Sequence, residues 1–369
     1  MANRLDEIPD ILLMGPGPSS VYPDVYRALA RPTLGHLDPA FIALMDETKH
    51  LLQHVMRTTN AVTFPVSGTG SAGMEAAFVN LIEPGDRVLV LVNGVFGTRM
   101  VDVAGRLGAV VDQLDFEWGT PVVVDEVKQK LAGGSYRIVA VVHAETSTGV
   151  ANPVAEIGKL VRPTGALYLV DGVTSLGGIP VELDEWGVDA FYSGTQKCLS
   201  CPPGLSPFSL SSRAVERVKA RSSKVPNWYL DVTMIVNYWE GAKRAYHHTA
   251  PINMIYGLYQ SLLCLTSEGL DAAFARHRAA HDRLVTGLEK LGLEMLVAPQ
   301  CRLPQLNAIR VPAGVDEARV RSRLLTDHKI EIGAGLGPLA GKVWRVGLMG
   351  HTARPANVER FLTALKTVL

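Results

Sequence analysis

Lys197 closes the string Ser193-Gly194-Thr195-Gln196-Lys197, just after a short apolar run and before Pro202-Pro203-Gly204. A lone lysine is ordinarily a solvated surface charge. An amine held in a structured loop, however, can have a lowered pKa and condense with an aldehyde. Asp171 ends the apolar run Leu167–Val170, which would carry its carboxylate into the interior. A buried acid without a partner is costly, and a cationic partner relieves that cost. The third element is Gly68-Thr69-Gly70-Ser71-Ala72-Gly73, set between a strand-like and a helix-like run. Glycines there let backbone N–H groups close on a phosphate, and the helix N-terminus adds positive character. The string fits G-x-G-x-x-G, but a dinucleotide site needs an acid at the end of the next strand, where Asn93 stands. A phosphate loop for a mononucleotide-sized cofactor fits better. Lysine, acid and phosphate loop together meet the requirements of pyridoxal phosphate.

These residues need a scaffold, and the pattern from about residue 60 to 210 supplies one. Strand-like Ala61–Val66, Arg87–Val92, Ile138–His143, Ala166–Val170 and Ala190–Ser193 alternate with helix-like Gly73–Ile82, Thr98–Leu107 and Val154–Val161. Unbroken apolar strands between helices predict a mostly parallel sheet covered on both faces, an α/β fold. Ligands bind such sheets at the carboxyl ends of the strands. The loops Ser67–Gly73, Asn93–Gly97, His143–Gly149 and Asp171–Gly178 are therefore expected to border one cleft. Beyond about residue 253 the pattern changes. Helices over Met254–Glu268 and Asp271–Leu291 precede strand-like Ala308–Val311, helical Asp316–Asp327, strand-like Val343–Val346 and a last helix over Pro355–Leu369. This predicts an arm over 1–20, a large cofactor domain over 21–268 and a smaller α+β domain over 269–369.

Length and composition agree. A chain of 369 residues carries a soft prior of two domains. It has 36 basic and 36 acidic residues, so no bulk attraction for nucleic acid or anionic membrane is expected. The longest apolar runs are of strand length, well short of the roughly 18 residues of a membrane helix. Arg4 among Asp6, Glu7 and Asp10 does not make the basic head of a signal peptide. Four cysteines, at 198, 201, 264 and 301, are sparse for a disulfide framework, and a cytoplasmic setting is expected.

Met14-Gly15-Pro16-Gly17-Pro18, Ser67–Gly70, Asn93-Gly94-Val95-Phe96-Gly97, His143–Gly149, Val170-Asp171–Gly178, Ser193–Lys197, Tyr246-His247-His248-Thr249 and Trp344-Arg345-Val346-Gly347 occur in order along nearly the whole chain. Together they resemble the class V aminotransferases of pyridoxal phosphate fold type I, and within them the alanine–glyoxylate and serine–glyoxylate (serine–pyruvate) branch. The resemblance implies a homodimer with shared active sites, acting on a small amino acid and a 2-oxo acid by a ping-pong mechanism. It implies that Lys197 holds the cofactor and shuttles the α-proton, with Asp171 at the pyridine nitrogen. Thr69, Gly70, Ser71 and Thr195 match phosphate-binding positions, Thr146 a hydroxyl beside the cofactor, and Phe96 the ring stacked on it. Tyr246 and Thr249 match residues that reach the neighbouring subunit's phosphate, and Arg345 the arginine that binds the substrate α-carboxylate.

Two positions depart from the family pattern. Phe96 stands where many relatives have Trp or Tyr, and keeps a flat apolar face without a polar handle. Ser71 stands where relatives often carry His, which leaves backbone contacts to the phosphate. Ureidoglycine–glyoxylate transfer is the alternative substrate reading. Pyridoxamine–pyruvate transfer fits less well, since the phosphate turn is intact. Gly35, His36 and Asn253 are candidates for the donor pocket's walls. From a different class, His143-Ala144-Glu145 with Cys198-Leu199-Ser200-Cys201 superficially resembles a zinc deaminase, but the elements are far apart and Pro202 follows the cysteine pair rather than preceding it. No metal site is expected. A degenerate fold used only for binding is opposed by the intact Lys197 and Asp171.

Overall fold

A computed structural model describes residues 3–241 and 243–369; the first two residues of the expected arm lie outside the described residues. Seven strands form the main sheet: β1 (Val62–Ser67), β2 (Arg87–Val92), β3 (Val110–Asp115), β4 (Ile138–Val142), β5 (Leu167–Asp171), β6 (Ala190–Tyr192) and β7 (Leu205–Leu210), in the order β1-β7-β6-β5-β4-β2-β3. Only β7 runs against its neighbours. The β4 run Ile-Val-Ala-Val-Val is buried at every position, as a sheet covered on both faces requires. Edge strand β3 alternates partly buried with exposed residues, which is why a search for apolar runs passes over it.

Helix α1 (Gly70–Leu81) starts at Gly70, three residues before the expected Gly73. Gly70 and Gly73 are therefore not loop residues. A side chain on Gly70 would press on Val173 and the Ser193 carbonyl, and one on Gly73 would overlap Ser206. The glycines let α1 lie against the sheet beside the Lys197 loop. Only Gly68 takes a positive φ, at 152°. Helix α2 (Val95–Arg106) likewise starts three residues early, burying Gly97, Met100, Val103 and Ala104 on one face.

β7 was not expected, because its sequence Leu-Ser-Pro-Phe-Ser-Leu carries a proline inside a central strand. Pro207 has no N–H to donate. The neighbouring Ser206 hydroxyl donates instead to the Ser193 carbonyl at 2.6 Å, which keeps the ladder satisfied next to the lysine loop.

A second core gathers Ala280 through Val368 around a three-stranded sheet, in the order β8 (Leu306–Arg310), β10 (Val343–Gly347), β9 (Gly333–Ala334). Helix α3 (Leu270–Lys290) joins the two cores, with Ala273 in the first and Ala280 in the second. The N-terminal segment is also part of the second unit. Leu12 and Leu13 pair in parallel with Ile330 and Glu331, and Met14 is buried in the second core.

Candidate active site

Asp171 is the last residue of β5, and the register sets it beside Tyr192 of β6. Its Oδ2 accepts from the Tyr192 hydroxyl and its Oδ1 from the Val173 N–H, both at 2.8 Å. Each oxygen keeps a lone pair for a further donor. Burial pushes this acid up to about 6, opposed by those two hydrogen bonds and by the charges of Lys197 and Arg99. A cationic N–H donor would restore its ionised form.

Lys197 lies in the loop between β6 and β7. Two segments clamp it. From the N-terminal side, Ser19 Oγ donates to the Lys197 carbonyl at 2.6 Å, and the Lys197 ammonium donates to the Pro16 carbonyl. Gly17, at φ 109°, runs so close that a Cβ there would lie 2.6 Å from Lys197 Nζ. From the second unit, the His351 N–H donates to Ser200 Oγ at 2.7 Å. Burial, and then the positive charge of Arg345, pulls the Lys197 amine down to about 8, against Cys198 and Asp171. Near neutrality it therefore exchanges readily between base and acid, as a proton carrier must.

The phosphate end is built from the first turn of α1. Thr69 is the N-cap, and its side chain makes no capping bond. The Ala72 N–H donates to the Thr69 carbonyl at 2.7 Å, while the Gly70 and Ser71 N–H groups have no acceptor among the described residues. Ser71 is exposed, while Thr195 is buried with its hydroxyl donating to the Pro202 carbonyl at 2.6 Å. Gln196 was missed as a site residue. Its Oε1 is buried without a partner among the described residues, next to Gly194. Arg99 was also missed. It sits one helical turn after Phe96, with its guanidinium carbon 5.0 Å from the Phe96 ring centre and Nη1 3.5 Å from Ser71 Oγ. The i, i+3 spacing from Phe96 was the available signal. Phe96 itself is half-buried against the core.

At the other end, Arg345 comes from the centre of β10, opposite Ala308 and Gly333. It is buried, with Nε donating to the Ala334 carbonyl at 2.7 Å and Nη1 to the Thr146 carbonyl at 3.1 Å. Among the described residues it has no acid within ion-pair distance. Burial lowers its pKa to about 10. A buried, unpaired guanidinium invites an anion. Thr146 Oγ1 shares a hydrogen bond with Thr174 Oγ1 at 2.6 Å. A cleft of about 450 Å³ opens beside Arg99, with Trp118 and Pro338 on its walls; Lys197, Asp171 and Arg345 do not line it.

Tyr246 and Thr249 stand apart from this cluster. Tyr246 is 58% exposed, packs on His36 and lies 3.3 Å from Thr249 Oγ1. Their segment is tied back to the first strand by His248, whose Nε2 is 2.8 Å from Ser67 Oγ. Asn253, expected at the pocket wall, spends its amide on the Leu29 and Arg31 carbonyls, bracing a turn. Cys198 and Cys201 are buried thiols pushed up to about 12, by burial above all, and Cys198 Sγ points to the Thr174 carbonyl. They behave as packing groups.

The donor set fits pyridoxal phosphate. It offers a tunable buried amine, an acid with free lone pairs and an uncapped helix N-terminus. The comparisons agree. The family model for Aminotransferase class-V matches residues 19–357. The solved alanine–glyoxylate aminotransferase from Nostoc sp. superposes with a TM-score of 0.96 at 48% identity, covering 100% of this chain and 99% of that one. The alanine–glyoxylate aminotransferase of Rattus norvegicus is 40% identical over 98% of this chain and 88% of its own. The (S)-ureidoglycine–glyoxylate transaminase of Bacillus subtilis is 37% identical over 97% of this chain and 90% of its own.

Proposed function

Because the chain belongs to the class V aminotransferase family, we propose that it carries an amino group from a small amino acid, alanine or serine, to glyoxylate or pyruvate, in a ping-pong cycle. The observation that carries this is Arg345, a buried guanidinium without an acid partner among the described residues, whose charge is felt at the Lys197 amine. One end of the site takes a carboxylate while the other holds the group that moves a proton.

The enzyme is pyridoxal phosphate-dependent. Lys197 would hold the cofactor's aldehyde carbon, Asp171 its ring nitrogen, and Thr69, Gly70, Ser71 and, on turning its hydroxyl from the Pro202 carbonyl, Thr195 its phosphate, with Phe96 against the ring and Thr146 beside it. Bound there, the cofactor supplies an electron sink for the electrons of the α C–H bond. The protein supplies position. Arg345 fixes the substrate carboxylate through two parallel N–H bonds. Tyr192 and Val173 hold Asp171 in one orientation. The Pro16–Gly17 segment packs on the Lys197 amine, which would carry the proton between the substrate α-carbon and the cofactor's aldehyde carbon. Holding these groups in register contributes much of the acceleration.

The working unit is a homodimer, in which Tyr246 and Thr249 reach the other subunit's phosphate. Exposed Trp228, Tyr229 and Tyr246 support this reading, since large aromatic surfaces of this kind mark partner contacts. Four free cysteines support a reducing, cytoplasmic setting.

The test is a panel of alanine, serine and ureidoglycine as donors, with glyoxylate and pyruvate as acceptors, and half-reaction rates followed by cofactor absorbance. Conversion by alanine or serine and reversal by glyoxylate are expected. Conversion by ureidoglycine alone would move the assignment to that donor. No conversion by any of the three would remove the reading.

A further inference from the structure

Glu145 has no role in the site described so far, and its surroundings are unusual for an acid. It is fully buried, at 0% exposure. Its Oε1 accepts from the Ser147 N–H at 3.0 Å and the Ser147 hydroxyl at 2.6 Å. Its Oε2 has no hydrogen-bond partner, and no cation lies within ion-pair distance among the described residues. The carboxyl packs so tightly on the α2 N-terminus that a side chain on Gly94 would overlap it. Ser147 Oγ also accepts from the Val95 N–H at 3.0 Å, so this cluster anchors the turn that carries Phe96.

Charged groups surround Glu145 at longer range. Asp171 on β5 disfavours its ionised form, and Glu145 in turn raises the Tyr192 hydroxyl on β6. On the α2 side the Gly97 N–H favours the ionised form. From β10, Arg345 docks on the carbonyl of Thr146, the residue next to Glu145, and the Glu145 charge favours the charged form of Arg345. Burial is the largest influence and pushes the acid up to about 7.

A substrate carboxylate arriving at Arg345 offsets the positive charge that this arginine sets against Glu145. It also adds a second anion to a dry pocket that already holds Asp171. A buried carboxylate with one oxygen unpartnered and no cation in contact is driven to bind a proton. We propose that Glu145 is the counter-charge of Arg345, and that its Oε2 takes a proton from solvent when an anionic substrate occupies that arginine and returns it when the substrate leaves. Glu145 is thus a positioning residue that acts through Arg345 and lets one arginine accept and release carboxylates without trapping them. The inference rests on Arg345 as the carboxylate site.

The experiment uses the loaded enzyme and propionate, an unreactive short carboxylate. Loading is checked first by the visible absorbance of the lysine-bound cofactor. Loss of propionate binding in Arg345→Met then checks the carboxylate site, so failure of either reading shows separately. Calorimetry at about pH 8 in two buffers of different ionisation enthalpy counts the protons taken up, with linkage setting a limit of about one per site. The wild type is expected to approach that limit, with its Kd rising up to about tenfold per pH unit above neutrality. Glu145→Gln is expected to lose most of the uptake and to bind with a flat pH profile. Equal uptake in the two proteins would overturn the proposal. Should the variant not fold, the wild type alone decides. A protonated-carboxyl band should appear in its infrared difference spectrum on adding propionate, and its absence would overturn the proposal.

Discussion

Replacing Arg345 with Met removes the guanidinium and leaves a side chain of similar length. Two of the five N–H groups are already committed, Nε to Ala334 and one on Nη1 to Thr146. That leaves one N–H on Nη1 and two on Nη2, enough for a two-point grip on a carboxylate from the end of the fork. Breaking a buried charge pair by removing one partner costs about 3–5 kcal/mol. At about 1.4 kcal/mol per factor of ten, the half-saturation for alanine should weaken by between roughly 10²-fold and 4 × 10³-fold. The two carbonyl anchors hold the arginine in place before substrate arrives, so little further ordering is needed. Lys in its place should recover only part of the loss, since an ammonium offers a charge without the fork. The assay is the single-turnover rate of cofactor absorbance change against alanine concentration. The maximal rate should fall less than the affinity, because Lys197 and Asp171 remain. Ethylamine, which lacks the carboxylate, should react equally slowly with both proteins. A half-saturation within threefold of the wild type would refute the assignment.

Lys197→Ala should lose the visible cofactor band and turnover; normal turnover in that variant would end the argument for its role. Asp171→Asn should retain cofactor, measured by bound phosphate, while slowing amino transfer by roughly 10²–10³-fold, as loss of one preorganised electrostatic contact does; unchanged kinetics would remove its assigned partner. Acid should destabilise the protein through His277 and His143, each held neutral by burial with its pKa lowered to about 4. The unfolded chain binds their protons near 6.5, so this contribution is present above that value and drains away as pH falls towards 4, by about 2 kcal/mol each between pH 7 and pH 5. His277→Gln should flatten the corresponding slope in urea unfolding curves, and an unchanged slope would assign the acid sensitivity to other groups.

Much of the fold could be read from short stretches. The runs at Val88–Val92, Ile138–Val142 and Leu167–Val170 are apolar throughout, and that pattern alone predicts buried parallel strands. Helix starts were read three residues late at Gly70 and Val95, because glycines that look like loop residues serve close helix–sheet packing. Strand β7 was hidden by Pro207, whose missing donor is replaced by a neighbouring hydroxyl that no propensity scale weighs.

The site divides in the same way. Lys197, Asp171 and the turn at Thr69 are announced by residue type next to a strand or helix end, which is a local property of the chain. The Pro16–Gly17 clamp joins residues 181 positions apart, and the Arg345–Thr146 contact joins residues 199 positions apart. Nothing in either segment alone specifies the other. The orphaned Glu145 oxygen exists only because folding strips water from it and supplies no replacement donor. Sequence therefore determined which functional groups the protein owns and in what order its elements arise, since these follow from backbone periodicity and side-chain type. Tertiary structure decided which charges meet and which are desolvated, since a pKa or an empty hydrogen-bond position depends on everything within a few ångströms, wherever it lies along the chain.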